Sequence, residues 1–211
     1  DWPLEPSHEI SLEIETYDAG NQVPLPGTYV DLAVQKTDGS EHSLFSGYSD
    51  ANGLIQVVMD DRDLLISSAQ KPTYVELNKL SATGRVLQAG DAAARQIRLA
   101  PTVGCDKIYT NQEGTSTRVF DLGKSGAEFC FQAGNFNDVD NIVVLDADGQ
   151  VLFNLDYATG DLIVADPSTY ESVTLRSETR LVYVEVRDGG TNWWFELNCP
   201  GSGCRDISRH P

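Results

Sequence analysis

Residues Leu181–Cys204 read LVYVEV-RDGGTN-WWFELNC-PGSGC, and this stretch decides the fold class. Val182, Val184 and Val186 alternate with Tyr183, Glu185 and Arg187. Trp193, Phe195, Leu197 and Cys199 alternate with Trp194, Glu196 and Asn198. A period of two puts one set of each run into a core and the other on an outer face. The Gly189-Gly190 step between the runs predicts a turn. The stretch therefore reads as the closing hairpin of a β-sandwich. If that turn pairs Val186 with Trp193, then Tyr183 and Trp194 become diagonal neighbours on the outer face, beside Glu185 and Glu196.

The same parity sorts the four cysteines. Phe129 and Phe131 face the core, so Cys130 points outward with Glu128 and Gln132. Cys199 faces the core, so Cys130 and Cys199 lie on opposite faces and do not pair. Cys204 follows the Pro200–Gly203 turn and can fold back over the outer face. This favours Cys105–Cys199 with Cys130–Cys204; the other connectivity is Cys105–Cys130 with Cys199–Cys204. No CxxC or zinc-type spacing is present, so disulfides in an exported, secreted or cell-surface protein are the expectation.

Working outward, the chain is rich in short alternating strands. Glu9–Tyr17 places Ile10, Leu12 and Ile14 on one face and Glu9, Ser11, Glu13 and Glu15 on the other. Strands follow near 28–36, 44–48, 54–59, 64–66, 73–77 and 95–99. Residues 81–94, rich in Ala and Gly, read as a loop or a short helical turn. After Leu99–Gly104, a linker too short for a free tether, strands recur near 116–121, 128–132, 141–146, 151–155, 172–176, 179–186 and 193–199. The pattern predicts an all-β chain of two tandem antiparallel β-sandwiches, residues 1–101 and 102–211, the second jelly-roll-like and disulfide-bonded.

Two resemblances accompany this reading. Gln22–Leu32 (QVPLPGTYVDL) and Ser49–Val57 (SDANGLIQV) resemble the transthyretin-like, carboxypeptidase regulatory-like sandwich. That resemblance implies a seven-stranded accessory or spacer domain and supplies no catalytic residues. Val119–Gly123, Asp138–Asp140, Val151–Asn154 and above all Gly190–Pro200 resemble galactose-binding-like jelly-roll modules of exported bacterial proteins.

The chain carries 32 acidic and 15 basic residues, a net charge of −17, divided almost evenly on either side of Pro101. Such a surface disfavours nucleic acid and anionic membranes. No run approaches a membrane span. The opening Asp1-Trp2-Pro3-Leu4-Glu5-Pro6 lacks a Met and reads as a processed N-terminal arm, suited to contacts with a neighbouring copy.

No GxSxG, HExxH, P-loop or dinucleotide fingerprint occurs, and His8, His42 and His210 are scattered, so no enzyme is expected. Asn137, Asp138 and Asp140 crowd one loop with hard oxygen donors. Calcium is the sharper reading there, and a solvated loop of turn-capping side chains is the plainer one. Asp146 with Asp148 divides the same way between a ligand pair and a hairpin turn. Trp194 and Tyr183, flanked by Glu185 and Glu196, could stack on and hydrogen-bond a sugar ring. The plainer reading covers that face with the Cys204 tail, the other domain or another subunit. The function expected is a non-enzymatic structural or adhesion protein, with copies of itself or other surface proteins as partners; the second reading is a carbohydrate-binding module, with calcium assistance.

Overall fold

The computed structural model describes residues 8–78, 80–88, 95–111, 114–135, 141–156, 170–187 and 193–205. They form two compact units. One is built from 8–18 and Val23–Ala100, the other from Ala19–Gln22 and the described residues from Pro101 on.

The first unit is a sandwich. Its strands are β1 (Glu9–Asp18), β2 (Val23–Pro24), β3 (Tyr29–Gln35), β4 (Glu41–Tyr48), β5 (Leu54–Asp60), β6 (Leu64–Gln70), β7 (Tyr74–Asn78), β8 (Ser81–Thr83) and the start of β9 (Gln96–Val103). β1 runs antiparallel to β5, with Leu12 opposite Val57 and Ile14 opposite Ile55, and parallel to β9, with Glu15 opposite Gln96. The second sheet has the order β4-β3-β6-β8. Alternation along β1 leaves Leu12, Ile14 and Thr16 buried and Glu9, Ser11 and Glu13 exposed. Leu12 and Ile14 meet Val30, Leu32, Ile55, Leu65, Ile97 and Leu99 in one apolar core. The short helix α1 (Gly84–Gln88) adds the fully buried Leu87.

Thr16 is the polar exception on the core face, and its burial is complete. A buried hydroxyl must be hydrogen-bonded to be tolerated. Its Oγ1 lies 2.7 Å from the Leu25 carbonyl and 3.0 Å from both the Ser49 hydroxyl and the Gly53 carbonyl. Ser49 Oγ accepts the Thr28 amide at 3.0 Å, and Thr28 Oγ1 donates to the Leu25 carbonyl at 2.9 Å. The segments PLPGT and SDANG are thus knotted to β1 through buried hydroxyls. Asp50 closes the turn by accepting the Asn52 and Leu54 amides, both at 2.8 Å. Gly53 has φ +77°, and a Cβ there would sit 3.0 Å from both the Leu25 nitrogen and the Thr16 oxygen.

The second unit contains β10 (Lys107–Asn111), β11 (Ser116–Asp121), β12 (Ala127–Asn135), β13 (Asn141–Asp146), β14 (Val151–Asp156), β15 (Tyr170–Ser177), β16 (Leu181–Arg187) and β17 (Trp193–Asn198). One sheet has the order β10-β17-β12-β15; the other has β14-β13-β16-β11, with Thr102 and Val103 of β9 beside β11. Numbered from β10, the eight strands fall into sheets 1-8-3-6 and 2-7-4-5, which is jelly-roll topology. Phe129, Phe131, Trp193, Phe195 and Leu197 meet Phe120, Val182, Val184 and Val186 in its core. Trp193 stacks on Phe195 with ring centroids 5.6 Å apart.

This topology corrects the closing-hairpin expectation. β16 pairs with β11 and β13, whereas β17 pairs with β10 and β12. Successive strands of a jelly roll mostly alternate between its sheets, so the strands on either side of Gly189-Gly190 belong to different layers. Parity assigned each side chain to the correct face, but the faces belong to opposite sheets. Tyr183 and Glu185 lie on one outside of the sandwich, Trp194 and Glu196 on the other. The one tight hairpin among the described strands of this unit is β13–β14. There the buried Asp146 accepts the amides of Asp148 and Gln150 at 3.0 and 2.9 Å. Asp146 and Asp148 therefore have the geometry of a turn.

The hydroxyl knot in the first unit yields a stability prediction. Thr16→Val removes the buried hydroxyl that links these segments to β1, although the Leu25 carbonyl keeps Thr28 Oγ1 and the Gly53 carbonyl keeps the residue-16 amide, and should cost about 1–2 kcal/mol. Gly53→Ala meets backbone atoms in a left-handed conformation and should cost about 1–3 kcal/mol. Urea denaturation of the first unit reads both; unchanged midpoints would contradict the knot.

Candidate functional site

Among the described residues of the second unit, the outer face of the β10-β17-β12-β15 sheet gathers three fully buried polar side chains, Gln132, Glu196 and Asn198. Cross-strand register sets Cys130 against Asn198, Gln132 against Glu196 and Gly134 against Trp194. All six are on the outer face by parity. Yet Gln132, Glu196 and Asn198 are fully buried, and Cys130 and Trp194 nearly so. Sequence parity alone leaves such a face open to solvent; the C-terminal residues explain its burial.

Cys130 is bonded to Cys204, and Cys105 to Cys199. Beyond Pro200 the chain turns back, with Ser202 N donating to the Cys199 carbonyl at 2.9 Å. Arg205 then reaches Glu196, Nη1 to Oε1, at 3.0 Å. Gln132 Nε2 donates to the Arg205 carbonyl at 2.9 Å, and Asn198 Nδ2 to Glu196 Oε1 at 3.0 Å. A full charge at Glu196, buried in a sheet face, needs a partner of opposite charge, and Arg205 is such a partner. Trp194 lies flat against Gly134: a Cβ at Gly134 would fall 2.3 Å from the indole nitrogen. Only glycine admits the ring at this height above the strand.

Asp106 holds the base of the tail. Its φ of +60° is one Asp tolerates better than most side chains. Its amide donates to the Leu197 carbonyl, and its carboxylate accepts the Cys199 amide at 3.0 Å. Cys105, Asp106 and Cys199 are the one grouping of potential metal ligands among the described residues. Both sulfurs are in a disulfide and the carboxylate is hydrogen-bonded, so this grouping offers no thiolate to a metal.

The expected ligand residues therefore separate. Trp194 and Glu196 are under the tail. Tyr183 is half-buried on the opposite outside, its phenol pushed above the usual range by burial. Glu185 is paired with Arg187 at 2.7 Å. No common sugar platform is formed by these four. Asn137, Asp138 and Asp140 lie outside the described residues. Gln132, Asn198, Asp106 and Arg205 were not singled out as functional from sequence. The first two share the parity of Trp194, which was the available signal; nothing periodic marks Asp106 or Arg205.

A groove of about 760 Å³ opens beside the Cys105–Cys199 bridge, with Lys124, Glu128 and Arg176 on its walls. Asp121 at its rim is held in a fork by Arg180, both contacts 2.6 Å, which lowers its carboxyl to about 2. In the first unit, Ser40 lies 3.3 Å from His42 Nε2, but its hydroxyl donates to Asp38 at 2.6 Å. The carboxylate thus holds the serine and not the imidazole, on an exposed turn. That is the reverse of what an activated nucleophile requires.

No family model and no curated protein matches the chain. Similar solved structures include the shaft pilin SpaA from Lactobacillus rhamnosus GG, at 14% identity and TM-score 0.31, covering 88% of this chain and 81% of that one. A single-site mutant of that pilin gives 15% identity and TM-score 0.32, over 87% and 81%. A double mutant gives 13% and 0.31, over 95% and 100%. Superpositions this loose leave the fold resting on the strand order described above.

The tail contact is open to direct test. Arg205→Ala removes a guanidinium from a fully buried carboxylate. Because Arg205 is itself half exposed, the expected cost is about 1–3 kcal/mol, below that of breaking a fully buried pair. Adding Glu196→Gln, which removes the charge, should recover part of it. Denaturant unfolding with the disulfides intact measures both; a neutral Arg205→Ala would contradict the role assigned to this pair.

Proposed function

We propose that the chain is a non-enzymatic structural protein of the cell exterior, a subunit of a surface assembly that contacts other copies or other surface proteins. The observation that carries this reading is the covalent bracing of the second unit. All four cysteines are in disulfides, and the two bridges hold the floor and the tail of one sheet. Such bonds persist in oxidising surroundings. No helix among the described residues is long and apolar enough to cross a membrane. The polar groups of the tail-covered face hold the chain in place and do not converge on a cleft.

Edge strands give the means of association. Among the described residues β4 ends its sheet and pairs with β3 alone, so its other side presents backbone donors and acceptors to a neighbour. The N-terminal residues 1–7 are the segment we assign to subunit contacts.

Sedimentation of the full chain across a concentration series tests the proposal. Association that rises with concentration and falls when residues 1–7 are deleted is the expected result. A monomer at every concentration, with or without those residues, would overturn it.

A further inference from the structure

Of the two aromatic side chains that parity left for a ligand in the second unit, Trp194 is buried and Tyr183 half-buried, but the first unit carries an exposed one. Tyr48 is 71% exposed at the end of β4, the most exposed large hydrophobic side chain among the described residues. It stands opposite Tyr29 of β3, whose ring meets it edge-on with centroids 5.2 Å apart. The two tyrosines, with Tyr74, Gln70 and Lys71, line a groove of about 600 Å³. We propose that this groove and the sheet face beyond it bind a neutral oligosaccharide, with Tyr48 as its stacking platform.

The hydrogen bonds beside the platform define what a ligand must offer. Ser46 donates its single hydroxyl proton to Asp31 Oδ1 at 2.6 Å. The Tyr29 hydroxyl, 2.7 Å from Ser46 Oγ, must then be the donor in that contact. Tyr29, Ser46 and Asp31 therefore form a one-way chain ending on a carboxylate. The lone pairs left on Tyr29 and Asp31 accept, so toward these two atoms the ligand must donate. Lys71, the cation of the groove, is directed at backbone: its Nζ donates to the Pro26 carbonyl at 2.5 Å and lies 3.4 Å from that of Gly27. With a net charge of −17 on the chain, an anionic ligand is disfavoured. A ligand with many hydroxyl donors and flat apolar C–H faces fits both the aromatic and the acceptor parts; that is a sugar ring.

The face continues past the first groove. Asp31 lies two residues beyond Tyr29 on the same side of β3, about 7 Å along the strand. It also lines a second groove of about 390 Å³, which runs by Ala33, Ile66, Ser68 and His42. The strip suits several linked sugars better than a single ring. This binding is independent of the self-association proposed above, since it uses the face of the β4-β3-β6 sheet and not its edge.

Isothermal titration of the intact protein against soluble neutral oligosaccharides (gluco-, manno-, galacto- and xylo-hexamers) tests the assignment. At least one should bind. Tyr48→Ala should weaken that binding about tenfold or more, while Tyr48→Phe, which keeps the ring, should retain most of it. Because Tyr48 is exposed, neither change should unfold the chain, and circular dichroism checks this. Val58→Ala, an exposed change on β5 of the other sheet, should bind like the wild type. Failure of every hexamer to bind at millimolar concentration would overturn the proposal, as would affinity unchanged in Tyr48→Ala. Binding of an oligolysine peptide in place of every sugar, lost in Tyr48→Ala, would overturn the ligand class.

Discussion

The second unit depends on β17 being gripped from both of its faces. Trp193, Phe195 and Leu197 hold it to the core. At its end, Cys199 is bonded to Cys105 beside β10. On the other side, the chain returns over the same strand and is bonded through Cys204 to Cys130 of the neighbouring β12. The loops span 94 and 74 residues and interlock. In the chain-entropy model each bridge alone removes about 4–5 kcal/mol of unfolded-state freedom, and the sum is smaller because the loops overlap. With the tail fixed there, an outer sheet face becomes an interior. Gln132, Glu196 and Asn198 are then polar and buried together, with Arg205 and their own hydrogen bonds engaging Gln132 Nε2, Asn198 Nδ2 and Glu196 Oε1.

The first unit solves a similar problem without covalent bonds. Two turns of the chain must be held against β1, and Thr16, Thr28 and Ser49 do this with hydroxyls shielded from water. The two units thus differ in what is fixed. In one, loops are tied to a strand within the core face. In the other, a tail is tied to the outside of a sheet. The exposed Tyr48 and its partner Tyr29 lie on the unit where, among the described residues, no such tail covers the outer sheet face.

Much of this was legible from residue order alone. Alternation in Glu9–Tyr17 and in the tryptophan strand gave the correct faces, because a period of two follows from the pleat. Parity also separated Cys130 from Cys199 and so favoured the connectivity observed. What parity does not contain is which strand lies alongside. That is why β16 and β17 read as a hairpin, and why Tyr183 and Trp194 were expected as neighbours. β10 escaped notice because Lys107-Ile-Tyr-Thr-Asn111 is short and carries apolar side chains on both faces. The linker expected at Leu99–Gly104 is largely strand, since β9 continues to Val103, with Pro101 between its ladders to β1 and β11. The burial of Trp194 falls within the plainer reading, which covers that face with the Cys204 tail, the other domain or another subunit; residue order leaves those three open because Pro200–Arg205 have no periodicity to read. Nothing in residue order marks Tyr48, because its exposure and its contact with Tyr29 depend on which strand lies beside β4.

The claim that joins these points is that the tail crosses the outer face of β12 and β17 and is bonded there. Non-reducing tryptic mapping tests it directly. No trypsin site separates Cys199 from Cys204, so both fall in peptide 188–205, while Cys105 falls in 99–107 and Cys130 in 125–176. The structure predicts that all three peptides migrate as one species joined by two disulfides, with fragmentation assigning Cys199 to the first partner and Cys204 to the second. Peptides 99–107 and 125–176 joined to each other, with 188–205 closed on itself, would contradict it.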